Sequence, residues 1–237
     1  MSVDIFETGA TVALLVLSIS VHEWAHAVMT TALGDETARS RGRLTLNPLS
    51  HADPVWTLII PFLALQFGGM FVAAGRPVPY DPNQWNGRLR GRRVSRKWGE
   101  FLVAFAGPGS NLLQAFGAAL ILGLVLASGQ LPLADLSSAT GSLQSNNAAA
   151  SVVWALDQFI FINCLLAVFN LLPVAPLDGE KVIAVFLPDA LAARLANLGS
   201  WGFLIVLFIV FRLPDLINTP ILALRSACYG LALLIAG

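Results

Sequence analysis

The sequence predicts an all-α membrane protein that crosses the bilayer several times. Of its 237 residues, 56% are hydrophobic and only 12% are charged, and the mean hydropathy is +0.73. Soluble domains carry about 25% charged residues, so this composition excludes an ordinary soluble fold. Apolar runs that approach or exceed the length of a membrane-spanning helix recur along the chain, at about residues 8–33, 101–127, 152–172, 198–211 and 217–236.

Charge and cysteine content narrow the class further. The formal net charge is zero, so the chain lacks the basic excess of nucleic-acid-binding proteins. Cys164 and Cys228 lie in apolar runs far apart in the sequence, which predicts small core residues rather than a disulfide framework or a metal site. The N-terminus has no basic stretch of the kind that opens a signal peptide, so we expect the first apolar run to remain as a helix.

The first apolar run, residues 8–33, carries an H-E-x-x-H motif at His22, Glu23 and His26. Residues four apart share one face of a helix, so the two histidines can bind one metal ion. Glu23 lies beside them and can accept a proton from a metal-bound water. Such groups are costly inside a membrane and usually functional, whereas the alternative is a chance match in a packed helix bundle.

The next apolar stretch, residues 55–74, is predicted to enter the membrane and leave on the same side. Clusters of basic residues flank it, and such clusters favour the cytoplasmic face. A single crossing would separate the clusters, whereas a re-entrant segment that is buried in protein keeps them together. We therefore favour a re-entrant segment over a full span. The flanking residues are Arg39, Arg41 and Arg43 before it and Arg88, Arg90, Arg92, Arg93, Arg96 and Lys97 after it.

Residues 101–127 form the second predicted span, and it begins with a run of small residues. The sequence Gly-Pro-Gly-Ser-Asn at 107–111 allows another helix to approach closely. Asn111 needs a hydrogen-bonding partner in these apolar surroundings. That partner is either a neighbouring helix or a bound substrate.

The third predicted span, residues 152–172, ends in a proline-rich break that precedes Asp178. Pro173 and Pro176 interrupt the helix and leave backbone groups that need other partners. Asp178 is either a surface carboxylate paired with Lys181 or a third metal ligand, since a catalytic zinc usually takes three protein ligands and one water.

About two further spans are predicted in the C-terminal part, from the runs 198–211 and 217–236. Arg225 interrupts the second of these runs, so this run is the less certain span. No internal repeat, linker or low-complexity tract divides the chain. We therefore expect a single membrane-embedded domain over residues 1–237.

Three stretches together resemble the site-2 proteases, which are intramembrane zinc metalloproteases. They are H-E-x-x-H at 22–26, G-P-G-S-N at 107–111 and N-L-L-P…P-L-D-G at 170–179, in the order of that family. Residues 47–54 and 76–79 resemble its compact prokaryotic branch, which lacks a PDZ domain. The likeness covers about residues 8–190. The chain departs from the pattern at Glu180-Lys181, where many members have a second Gly or Ser.

The resemblance implies a three-helix catalytic core over about residues 8–190, with a membrane-embedded element between the first two core helices. It also implies residue roles. His22, His26 and Asp178 would bind Zn²⁺, and Glu23 would be the general base. Asn170 would hold the substrate or the oxyanion, and Asn111 is a further candidate for that role.

The expected activity is regulated intramembrane proteolysis, the hydrolysis of peptide bonds within or near transmembrane segments of membrane proteins. The expected partners are the lipid bilayer and a single-span protein or its remnant. The expected location is a prokaryotic cell membrane, with the active site open to the cytoplasm. The alternatives are a membrane metal-binding or transport protein with the same ligands and an inactive scaffold. Glu23 favours the protease, because a transporter does not need a base beside a water. The sequence specifies neither a natural substrate nor an oligomeric state.

Overall fold

A computed structural model describes residues 4–66, 75–129, 136–141, 143 and 148–237. Within these residues, four helices are long and apolar enough to cross a membrane: α1, α5, α7 and α11. This confirms the prediction of an all-α polytopic membrane protein. In chain order, the described elements are α1 (Ile5–Ala32), α2 (Thr37–Ser40), α3 (Pro48–His51), a π-helical turn (Pro54–Ile59), α4 (Ile60–Gln66), a 3₁₀ turn (Pro82–Gln84), β1 (Arg88–Leu89), β2 (Arg92–Arg93), α5 (Arg96–Ala127), α6 (Leu136–Gly141), α7 (Ala148–Asn170), α8 (Asp178–Ala184), α9 (Asp189–Ala196), α10 (Ser200–Arg212) and α11 (Pro214–Ala236).

Helix α1 carries the H-E-x-x-H motif and has defined ends. Asp4 caps its N-terminus by accepting a hydrogen bond from the Phe6 amide. Its last helical residue is Ala32, and Leu33 is the C-cap. Gly34 follows with φ of 107°, a conformation that glycine adopts without strain. The 28 residues of the helix span about 42 Å, more than the hydrocarbon core of a bilayer.

Helix α5 is central, because α1, α7, α8 and α11 all pack against it. Small residues permit this close packing. A Cβ atom at Gly107 would overlap the imidazole rings of His22 and His26, and one at Gly123 would lie 2.7 Å from the Cβ of Ile235 in α11. Glycine at these two positions therefore lets α5 approach the motif of α1 on one side and the C-terminal helix on the other.

The two flanks of the predicted re-entrant segment meet each other. The Arg76 amide donates a hydrogen bond to the His51 carbonyl over 2.7 Å, and Arg76 Nε lies 3.7 Å from the Asp53 carboxylate. The chain therefore leaves this end of the molecule after Asp53 and is back at Arg76. These contacts support the re-entrant interpretation, although residues 67–74 lie outside the described residues.

The segment after Arg76 returns along the C-terminal end of α1. The Asp81 amide donates to the Asp35 carboxylate over 2.8 Å, and the Asn86 amide donates to the Leu33 carbonyl over 3.0 Å. Helix α5 begins shortly afterwards at Arg96. Both clusters of basic residues therefore lie at the same end of the helix bundle, as the charge pattern predicted.

The C-terminal runs differ in length from each other. Helix α11 has 23 residues and is long enough to cross a membrane, so Arg225 does not interrupt it. Helix α10 has 13 residues and is about 20 Å long, which is shorter than the hydrocarbon core of a bilayer. Of the two predicted C-terminal spans, α11 is therefore long enough to cross a membrane by itself and α10 is not.

Candidate metal centre

Two histidines of α1 and an aspartate of α8 converge on one point. The Nε2 atoms of His22 and His26 lie 3.1 Å apart, and each is 3.3 Å from Oδ2 of Asp178. Ligands that surround zinc tetrahedrally at about 2.0–2.1 Å are separated by about 3.3 Å. The spacing of these three donor atoms therefore fits one zinc ion, with the fourth position left for water.

Each histidine ring is held through its other nitrogen. His22 Nδ1 lies 2.6 Å from Oδ1 of Asn111, and His26 Nδ1 lies 2.6 Å from the carbonyl oxygen of Val103. A carbonyl oxygen only accepts hydrogen bonds, so the Nδ1 atoms carry the protons. The Nε2 atoms are then free of protons and face the point where the three side chains meet. Such partners fix both the tautomer and the orientation of a metal ligand.

A chain of polar side chains continues from His22 into α7. Asn111 donates from Nδ2 to Oδ1 of Asn163 over 2.8 Å, and Asn163 donates to the hydroxyl of Ser18 over 2.9 Å. Sequence reasoning missed Asn163 and Ser18. The available signal was an amide inside an apolar run, but nothing in the sequence names its partner. This network joins α1, α5 and α7 behind the candidate metal ligands.

Asp178 reaches the histidines because α8 packs tightly on the proline-rich break. A Cβ atom at Gly179 would overlap the carbonyl oxygens of Leu171 and Leu172, so only glycine fits here. Asp178 is the first residue of α8, so this close packing sets the direction of its side chain.

Glu23 lies beside the three candidate ligands and under an extended segment. Its Oε2 accepts a hydrogen bond from the Val78 amide over 3.2 Å. A Cβ atom at Gly75 would lie 2.8 Å from Ile19 and 3.1 Å from Glu23 Oε1, so residues 75–78 pass close over the carboxylate. The segment therefore holds the Glu23 carboxylate in one orientation next to the convergent donors.

All four of these side chains line one cavity of about 350 Å³. The rest of its wall is mostly apolar and includes Trp56, Phe169 and Leu207. Asn170 also lines the cavity, at the end of α7, and donates one Nδ2 hydrogen bond to the Leu166 carbonyl over 3.0 Å. A cavity of this size with a few convergent polar groups is typical of a binding site for an apolar ligand.

The two predicted substrate contacts lie in different surroundings. Asn170 faces the cavity, whereas Asn111 is fully buried behind His22 and does not line the cavity. Both of its side-chain hydrogen bonds are made within the protein, to His22 and Asn163. The position of Asn111 therefore favours the helix–helix alternative over direct contact with a substrate.

The sequence is similar to known zinc metalloproteases over most of its length. The family model described as "Peptidase family M50" matches residues 10–210. The chain is 36% identical over 209 residues to "Putative zinc metalloprotease YwhC" of Bacillus subtilis, covering 86% of this chain and 80% of that protein. It is 31% identical over 195 residues to "Putative zinc metalloprotease Rip2" of Mycolicibacterium smegmatis, covering 82% and 63%. No solved structure gives a significant match.

Proposed function

The chain belongs to peptidase family M50, the site-2 protease family, and is a zinc metalloendopeptidase; from this premise we propose that it cleaves peptide bonds within or near the membrane-spanning segments of other membrane proteins. The observation that carries the proposal is the placement of the candidate ligands. His22, His26 and Asp178 meet in a cavity between helices that are long enough to cross a membrane. A substrate for such a cavity is itself a membrane-embedded chain.

The positions of the side chains suggest a role for each of them in the reaction. His22, His26 and Asp178 would hold the zinc ion. When bound, zinc lowers the pKa of a water molecule to about 7 and polarises a carbonyl group. Glu23 would accept the proton of the attacking water and deliver it to the leaving amine. Its contact with the Val78 amide keeps the carboxylate aimed at the cavity.

Two asparagines would support this chemistry in different ways. Asn170 lines the cavity and uses one amide hydrogen on the Leu166 carbonyl, which leaves the other to donate to a substrate carbonyl or oxyanion. Asn111 would act through His22, by fixing the ring so that Nε2 faces the metal. Asn111 is therefore a positioning residue in this proposal and Asn170 a catalytic one.

The basic residues near the cavity suggest the side of the membrane to which it opens. Within α1, His26 is six residues before the last helical residue, Ala32, and His22 is ten residues before it. The motif therefore lies about 9–15 Å inside the end that carries both basic clusters. Basic clusters favour the cytoplasmic side, so the cavity would open to the cytoplasm of a prokaryotic cell. In this proposal, residues 1–237 form a single membrane domain.

Two measurements on reconstituted protein test the proposal against the transporter alternative. The probe is a single-span protein with a Leu/Ala-rich span, a central Gly-Pro pair and a tag at each end. We expect zinc-dependent cleavage in or near the span, located by mass spectrometry, in the parent and none in Glu23→Gln. Zinc uptake into protein-containing vesicles without any cleavage would support the transporter and contradict the protease.

Orientation is tested by labelling single cysteines in a background with Cys164 and Cys228 replaced. In the sequence, Ser40→Cys precedes residues 55–74 and Ser95→Cys follows them. Ala127→Cys, at the far end of α5, is the matched control. We expect a membrane-impermeant maleimide to label Ser40→Cys and Ser95→Cys from the same, cytoplasmic side and Ala127→Cys from the other. Labelling of the first two from opposite sides would contradict the re-entrant topology.

A further inference from the structure

Lys181 places a cation on the wall of the same cavity, and the roles proposed above do not use it. It lies three residues after Asp178 in α8, so the two side chains share a helix face. Its ammonium group donates a hydrogen bond to the hydroxyl of Tyr80 over 2.8 Å and lies 5.0 Å from the centre of the Tyr80 ring. Lys181 therefore joins two walls of the cavity, α8 and the segment that covers Glu23.

Within the part of the chain that the structure describes, no carboxylate forms a direct ion pair with the ammonium group of Lys181. Among the described residues, Tyr80 is its one hydrogen-bonding partner, and no carboxylate oxygen lies within 4.0 Å of Nζ. The nearest candidate on its own helix face, Asp178, is directed at the two histidines instead. An ammonium has three hydrogens to donate, and a neutral hydroxyl only partly compensates for the water that it loses. Two donors therefore stay available to a ligand in the cavity.

Lys181 stays charged in this environment. Burial lowers its pKa, but Tyr80 and the carboxylates of Asp178 and Glu180 outweigh burial, so the pKa is raised above its ordinary value. The ammonium group therefore brings a positive charge to the wall of the cavity, and a carboxylate is the group that complements it.

The neighbours of Tyr80 argue against a purely structural role for Lys181. The Tyr80 ring stacks on Trp85, with ring centres 6.0 Å apart and planes 5° apart. Trp85 is held in turn by a hydrogen bond from its indole nitrogen to the Thr30 hydroxyl of α1 over 3.1 Å. Tyr80 is therefore held in place without the ammonium, and a ligand can replace or join its hydroxyl at Nζ.

We propose that Lys181 is the carboxylate-binding residue of the substrate cavity. The carboxylate has two possible sources, the new C-terminus made by hydrolysis or an acidic side chain of the substrate beside the scissile bond. Hydrolysis breaks the C–N bond and places the water oxygen on the carbonyl carbon, which gives one carboxylate and one protonated amine. The inference rests on the proposed protease function, but the binding of a carboxylate by Lys181 can be measured without turnover.

The test measures peptide binding to the zinc-loaded and the zinc-free full chain, both in the Glu23→Gln background to prevent cleavage. The probes are a short acetylated Leu/Val/Ala peptide with a free C-terminal carboxylate, the same peptide amidated, and two amidated versions with an internal Asp or Asn. We expect a carboxylate probe to bind about tenfold or more tightly than its neutral partner, because a charge-assisted hydrogen bond is stronger than a neutral one. Preference for the free acid identifies the product carboxylate, and preference for Asp over Asn identifies a substrate side chain.

Lys181→Met and Lys181→Gln are expected to remove this preference, and Lys181→Arg to keep part of it. Lys97→Met is the matched control, because it removes the other lysine of the chain, which contacts Leu187 and Asp189 outside the cavity. Zinc itself binds carboxylates, so the zinc-free arm isolates the contribution of Lys181. Thermal unfolding of every variant verifies its fold.

Three outcomes would overturn the proposal: no carboxylate preference in the zinc-free Glu23→Gln protein, an unchanged preference in folded Lys181→Met or Lys181→Gln, or an equal loss in Lys97→Met. Failure of the proposed protease function would show separately, as absence of cleavage by the parent chain. The binding preference would still report on Lys181 in that case.

Discussion

Among the residues that the structure describes, two clusters of ionisable side chains differ in how their charges are balanced. In the first, His22, His26 and Asp178 direct three donor atoms at one point on the wall of a cavity. In the second, Arg225 of α11 lies 2.6 and 2.9 Å from the two carboxylate oxygens of Asp157 in α7. The Arg225–Asp157 pair balances its own charges, whereas the three donor atoms of the first cluster have a spacing that would fit a metal cation.

The second cluster is completed by a hydroxyl and does not line the cavity. Tyr229 donates to Asp157 Oδ1 over 2.7 Å, and Asp157 is buried. The pair links α11, which lies beyond the residues matched by the family model, to the helices that carry the candidate site. An ionisable residue in an apolar run is therefore not by itself a functional site. Its partner and its access to a cavity decide between the two roles.

The sharpest test of this contrast is Glu23→Gln, compared with His22→Ala. Gln keeps the shape and can still accept the hydrogen bond from the Val78 amide, but it cannot take a proton. We expect cleavage to fall about 10²–10⁴-fold or below detection in Glu23→Gln, with zinc content and melting temperature near those of the parent. His22→Ala should lose both zinc and activity. Glu23→Gln that cleaves at the parent rate would remove Glu23 from the mechanism.

Arg225→Met tests the second cluster, in which Arg225 and Asp157 neutralise each other. It leaves the Asp157 carboxylate buried beside Tyr229 without its cation, and breaking a buried pair in this way costs about 3–5 kcal/mol of unfolding free energy. The double variant Asp157→Leu/Arg225→Met removes both charges and should recover most of the stability. Activity per folded molecule should be unchanged in both. A stable but inactive Arg225→Met would place this pair in the catalytic apparatus instead.

Asn170→Ala tests whether Asn170, which lines the same cavity as the first cluster, contacts the substrate. If the free amide hydrogen of Asn170 donates to the substrate carbonyl, turnover should fall about 10²–10³-fold while zinc content and melting temperature stay constant. Asn163→Ala serves as the contrasting variant, because Asn163 is buried and hydrogen-bonded to Ser18 and Asn111 rather than facing the cavity. An activity loss in Asn170→Ala that unfolding fully accounts for would leave Asn170 as a structural cap of α7.

The smallest expected effect is that of Asn111→Ala. Loss of the hydrogen bond to His22 Nδ1 frees the ring orientation, and loss of such a partner typically lowers metal affinity about 10–100-fold. Zinc affinity is measured by competition with a chelator of known affinity. Ser110→Ala is the matched control, since the Ser110 hydroxyl donates to the Gly107 carbonyl of its own helix. Equal zinc affinity in the parent and Asn111→Ala would show that Asn111 does not position His22.

The sequence predicted those features that depend on local spacing or on composition. The low charge content and the apolar runs indicated a polytopic all-α fold, and four membrane-length helices confirm it within the described residues. The spacing of His22 and His26 placed two donors on one helix face, because a helix turns every 3.6 residues. The motifs together indicated the site-2 protease family and zinc, and the family match confirms both.

Tertiary structure alone decided which distant side chains meet. Asp178 was a ligand candidate by resemblance, yet its approach to His22 depends on the packing of Gly179 against the carbonyls of Leu171 and Leu172. The sequence marked Arg225 as an interruption, whereas α11 continues through this residue and its side chain contacts Asp157. Helix periodicity fixes the face on which a side chain lies, but contacts between helices depend on how their surfaces fit together, and no local pattern encodes that fit.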